Sequence, residues 1–339
     1  MTHRSWGFIC AMAALVLWAG AAMANPEEWR QGEWPRTDFS RHLIDYSEIK
    51  SGGPPKDGIP AIDNPRFEDL KEGQEEGWAA GLADTEPVIS FSVGSDARAY
   101  PLRVLMWHEI VNDTVGGQPV AVTYCPLCNA ALVFERTVNG RVLDFGATGK
   151  LRHSDLVMYD RQTESWWQQF TGEAIVGEMT GSELKLIPSR LESFARFRER
   201  FPRGRVLVPS NPAARDYGGN PYLGYDAEGA TPFLYTGDMP SGIEPMARVV
   251  AIETAPDRHE AWSFALLRER GEIRIGDLVL RWAAGQSSAL DAHTVASGRD
   301  VGNVIVQRRE GDRLVDVPHD VTFAFAFHAF RPQSPIHTR

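Results

Sequence analysis

The chain has 339 residues, 43% of them apolar, with three cysteines, a formal net charge of -10 at neutral pH and an isoelectric point near 5.4. That acidity argues against nucleic acid or an anionic membrane surface as partner. Three cysteines are too few to staple a chain of this length, so an apolar core must hold it together.

Residues 1–24 read as a secretory signal peptide. His3 and Arg4 precede an apolar run over 7–20, and Ala22-Met23-Ala24 is an A-x-A cleavage pattern. The run is too short for a committed membrane span, and Cys10 is removed with it. No later stretch approaches spanning length. The expectation is an exported chain without a transmembrane segment, in the periplasm if the source is Gram-negative. Residues 25–60, rich in Pro, Gly and charge, read as an extended arm with one short helix near 40–49. A β-rich half follows over 61–210. It opens with a hairpin, 87–93 turning back at 97–101, then a helix over 102–110. Strand-like runs at 120–124 and 131–138 flank the Cys125-Pro126-Leu127-Cys128 turn. Asn139-Gly140 is a strong hairpin signal that leads into 141–146. A helix over 191–201, with Ser189 as N-cap, stops at Pro202-Arg203-Gly204. Residues 211–240 are dense in Gly, Pro, Tyr and Asp and read as an ordered loop or lid.

Residues 241–332 read as a second β-rich half, with 333–339 a tail. Val249-Val250-Ala251-Ile252 matches Val88-Ile89-Ser90-Phe91 in order and spacing, and 275–280 matches 117–122. The second copy lacks the cysteines, and His108 maps near Arg270. The aromatic run over 321–330 reads as buried core. The expected fold class is therefore mainly β with some α (α+β), with two related halves from an internal duplication.

Three readings compete for Cys125 and Cys128. Thiolates are soft ligands suited to copper(I) and zinc, and His108 lies just upstream to supply an imidazole. Met158 as a further ligand favours copper, and His153 favours zinc; copper is the first expectation. A C-x-x-C pair also suits a cycling dithiol with a redox partner protein. The third reading is a structural disulfide. Glu109 and Asp113 flank His108 and can orient it. Asp155, Asp160, Arg161 and Glu164 form a charged cluster, either acid–base groups or a salt-bridge network. Asp155 and Arg161, with His108, are the catalytic candidates for an enzyme with a cleft facing the 211–238 loop. Nothing resembles a P-loop, a G-x-S-x-G elbow or an H-E-x-x-H site.

The strings YCPLCNAALVFE, WHEIVND and SDLVMYDRQTESWWQQFTGEAIVG, with GQSSALD and GRDVG later on, closely resemble the family called domain of unknown function 3179. The resemblance runs from about residue 57 to 330. It implies a family of exported bacterial and archaeal proteins but no reaction. Function therefore rests on the residues: a metal-binding carrier or thiol-redox partner, an enzyme, or a structural protein.

Overall fold

The computed structural model describes residues 25–71 and 76–339. The expected signal peptide, 1–24, lies outside the described residues. The chain is strand-rich, as the alternating apolar patterns require, with short helices punctuating the sheets.

The first half runs as a hairpin, a helix and a meander. Strands Pro87–Val93 and Asp96–Pro101 pair antiparallel, and Leu102–His108 forms the helix. Strands Ile110–Val115, Gln118–Cys125 and Ala130–Glu135 then form an antiparallel meander, edged by Lys185–Leu186. Arg190–Ser193 pairs antiparallel beside the hairpin, helix Phe194–Arg200 follows, and Arg205–Val208 joins the other side in parallel. The helix thus starts later than 191, because residues 190–193 are taken by the sheet. Ser193, not Ser189, stands at its N-cap.

Residues 248–337 repeat that order of elements. Arg248–Ala255 and Arg258–Ser263 form a hairpin, Phe264–Arg270 a helix, and Glu272–Ile275, Leu278–Ala283 and Asn303–Glu310 a meander edged by Arg313–Asp316. Asp320–Phe323 pairs antiparallel beside the hairpin, helix Ala324–Phe330 follows, and Ile336–His337 joins in parallel. Phe323, Phe325 and Phe327 are buried, as the apolar run at the C-terminus requires.

A further five-stranded sheet joins the arm to the first half: Ile49–Ser51, Phe145–Arg152, Asp155–Asp160, Trp166–Gln168 and Ala174–Val176 in that order. It separates two cores. Leu156, Met158 and Trp167 pack into the main core, while Val157, Tyr159 and Trp166 face the other way, the period-two alternation of a strand. The second core is completed by the N-terminal arm through Trp34, Phe39, Ile44 and Ile49. The arm is therefore a packed element. Its helix is Pro26–Gln31, capped by Asn25, and only a 3-10 turn with an Asp45/Glu48 capping box forms at Tyr46–Glu48. No helix among the described residues is long and apolar enough to cross a membrane.

Candidate functional site

Cys125 ends strand Gln118–Cys125, and Ala130 opposite it begins the return strand. Pro126 fixes the first central position of the intervening turn, which is closed by Cys128 N–H donating to Cys125 O at 3.3 Å. Asn129 leaves the turn at φ +53°, a conformation its short polar side chain tolerates. The turn curls both thiols inward, where they are buried and unbonded to each other.

A second turn meets the first. His153 (φ +52°) and Ser154 (φ +68°) link strands Phe145–Arg152 and Asp155–Asp160, a left-handed pair without glycine. Ser154 O lies 3.8 Å from Cys125 Sγ. Asp155 follows, so that the two sulfurs and one of its carboxylate oxygens all lie within 4.8 Å of one another. Its Oδ2 accepts from Gln168 Nε2 at 2.6 Å and Phe170 N at 2.9 Å, while Oδ1 has no hydrogen-bond partner. Burial pushes the Asp155 carboxyl up to about 7 and raises both thiols.

Oxygen acceptors are in surplus around this point. Asp320 reaches across from the second half to accept from Ala131 N, leaving its Oδ2 unpaired. Gln168 Oε1 and Gln169 Oε1 are also buried without partners, although Gln169 Nε2 is held by Thr123 Oγ1 at 2.8 Å. Burial pushes Asp320 up to about 8. A buried group of unsatisfied acceptors calls for protons, water or a cation.

His108 does not belong to this group. Its Nδ1 is 2.7 Å from Pro60 O, a carbonyl that can only accept, so Nδ1 donates there. Nε2 then accepts from Tyr217 Oη at 2.7 Å, and burial lowers the pKa of the ring. Both nitrogens are spent, Nδ1 on Pro60 and Nε2 on holding Tyr217 of the 211–240 loop to the helix end. His153 pairs instead with Glu48 at 3.3 Å and packs against Phe330. Met158 is buried in the main core, opposite Trp167 and Ala147. Arg161 is tied to Asp63 at 2.7 Å, and Asp160 and Glu164 are bound by Thr163 and Lys56, so the charged cluster is a structural network apart from Asp155. Asp113 is held by Arg98 at 2.6 Å.

The residue that turns toward open space is Glu109. It ends the helix at φ +56°, ψ −32°, and lines a cavity of about 530 Å³ between the Cys125–Cys128 turn and the 211–240 loop. Leu127, Leu156, Tyr222, Tyr225 and Phe233 line it too. His108, Asp155 and Arg161 are not among its walls. Burial, reinforced by Asp155, pushes Glu109 up to about 8. The sequence named Glu109 only as a helper of His108. The positive φ that redirects it leaves no mark in the local residue pattern.

The family model described as "Protein of unknown function (DUF3179)" matches residues 56–334. No curated protein and no solved structure matches the chain. With the family's model running from the arm to the last helix, through both the cysteine turn and the Asp320 strand that closes over it, the chain belongs to the DUF3179 family.

Proposed function

We propose that this is an exported, periplasmic metal-binding protein that holds one thiophilic ion through Cys125, Cys128 and Asp155, as a metal carrier or thiol-linked redox partner. The observation that carries this reading is the convergence of two sulfurs and a carboxylate oxygen within 4.8 Å of one another in the buried interior. A bound cation would stabilise the deprotonated thiols and carboxylate that burial otherwise disfavours. The donor set bears on the choice of metal. An imidazole beside two thiolates favoured copper, whereas a carboxylate oxygen is hard and suits zinc. Copper(I) needs only the two thiolates; zinc recruits Asp155 as well. Bound metal would supply Lewis acidity or a guarded cargo, and the chain's own part is to converge both thiols and Asp155 on one point and keep water out.

Titration of the reduced protein with zinc and with copper(I) against competing chelators tests this. About one ion per chain is expected, lost in Cys125→Ser and Cys128→Ser. Asp155→Asn should weaken zinc by about 10–100-fold, as an outer-shell change already does, and leave copper(I) nearly unchanged. Failure of both metals to bind at micromolar concentration overturns the reading.

A second reading has one specific observation behind it: two free thiols at C-x-x-C spacing beside a carboxyl raised to about 7. Oxidation to a Cys125–Cys128 disulfide would pass two electrons to a partner disulfide, which becomes two thiols. Asp155 is placed to take a proton from the attacking thiol. Equilibration with glutathione buffers, read by thiol titration, decides it. The shared element order of the two halves also leads us to propose an internal duplication in which the chemistry stayed in the first copy.

A further inference from the structure

The cavity beside the cysteine turn has a chemical character of its own. Its walls are aromatic and aliphatic: Tyr222, Tyr225, Phe233, Leu127 and Leu156. One acid lines it, Glu109, which is 7% exposed and has no side-chain hydrogen bond or ion pair with another described residue. Ionising a carboxyl here without a counter-charge is costly, and a left-handed non-glycine backbone adds a cost of about 1–3 kcal/mol. Both costs fall on the same residue, at the wall of an open space.

The one basic residue in the wall, Lys150, does not offset that acid. Its ammonium lies 5.2 Å from the ring centre of Trp29 and 5.8 Å from that of Trp166, in the aromatic cluster built with the N-terminal arm. Glu109 is therefore the group that can supply a counter-charge, once ionised, to a ligand framed by these aromatic rings. That combination repels carboxylates and phosphates and attracts a cation, through charge and through the ring faces.

We propose that this cavity binds a small organic cation, an ammonium group on an apolar body, with Glu109 as its counter-ion. The inference goes beyond the metal reading, because it uses none of the three metal-capable donors. It can be tested on reduced protein kept metal-free with a chelator. The probes are three molecules of one shape: phenethylammonium, phenethyl alcohol and phenylacetate, titrated calorimetrically. Phenethylammonium should bind at least about tenfold more tightly than the alcohol, a difference of about 1.4 kcal/mol, and phenylacetate should not bind. Glu109→Gln should bring the ammonium down to the level of the alcohol while leaving the alcohol unchanged. Equal binding of the alcohol or of phenylacetate overturns the proposal, as does absence of ammonium binding at millimolar concentration. If Glu109→Gln does not fold, the ranking of the three probes on the unaltered protein still decides.

Discussion

At the scale of single residues, three buried carboxyls set the behaviour of the site. Glu109 and Asp320 are pushed up to about 8 and Asp155 to about 7, all by burial. A carboxyl raised in the fold is held neutral there while the unfolded chain ionises at its ordinary value. Its contribution is complete below the ordinary range near 4.5 and drains away as pH climbs through 7 and 8. Glu109→Gln removes this penalty without changing shape. The variant should match the parent in stability near or below pH 4.5 and exceed it by on the order of 5 kcal/mol at pH 8.5. Denaturant melts of metal-free protein at the two pH values measure this, and an equal gap at both would refute it. Metal binding has the opposite slope, since both raised thiols must lose protons, so affinity should fall as the solution is acidified. How much of this could be read from sequence divides along a physical line. The cysteine spacing announces itself, and Asp155 stood among the candidates. His108 was placed near the turn correctly in chain order, but proximity along the chain does not give direction. One residue further along a helix rotates a side chain by about 100°, and here the left-handed Glu109 redirects the chain again.

At the scale of elements, the 211–240 loop is pinned at Asp226 by Arg248 and, at its start, by a side-chain bond that sequence cannot supply, Tyr217 to His108. Tyr217→Phe should cost about 1 kcal/mol and speed proteolytic cleavage within 211–240, with the sheets intact. Limited proteolysis followed by mass spectrometry would detect it; an unchanged cleavage rate would mean the loop is held by its other contacts. The N-terminal arm was harder to read. Trp29, Trp34 and Phe39 are scattered among polar residues, so no period of two or 3.6 emerges, and only the sheet they cover reveals their purpose. Trp34 is fully buried against Tyr159 and Trp166. Trp34→Ala should cost about 3–5 kcal/mol, measurable as a lowered denaturation midpoint.

At the scale of the whole molecule, the alternating patterns were enough to give a strand-rich chain and the order of its hairpins, because alternation is a local signal. What they could not give is the docking of the second half onto the cysteine turn. Thr322 Oγ1 donates to Cys128 O at 2.8 Å, Phe323 N donates to the same oxygen at 3.0 Å, and Asn129 Nδ2 returns a bond to Val321 O. Thr322→Val removes the hydroxyl at nearly constant volume. Native protein carrying it should react several-fold faster with a thiol reagent such as dithionitrobenzoate; an unchanged rate would mean the clamp does not control access.

That clamp joins positions 194 residues apart in the chain. A polypeptide emerging N-terminus first exposes both thiols before their cover has been synthesised, an interval of roughly 10–40 s at ordinary elongation rates. During that time Cys125 and Cys128 are open to any oxidant or ion they meet. The turn is therefore most open to oxidants and ions before its cover has docked, and the docked strand then slows their access.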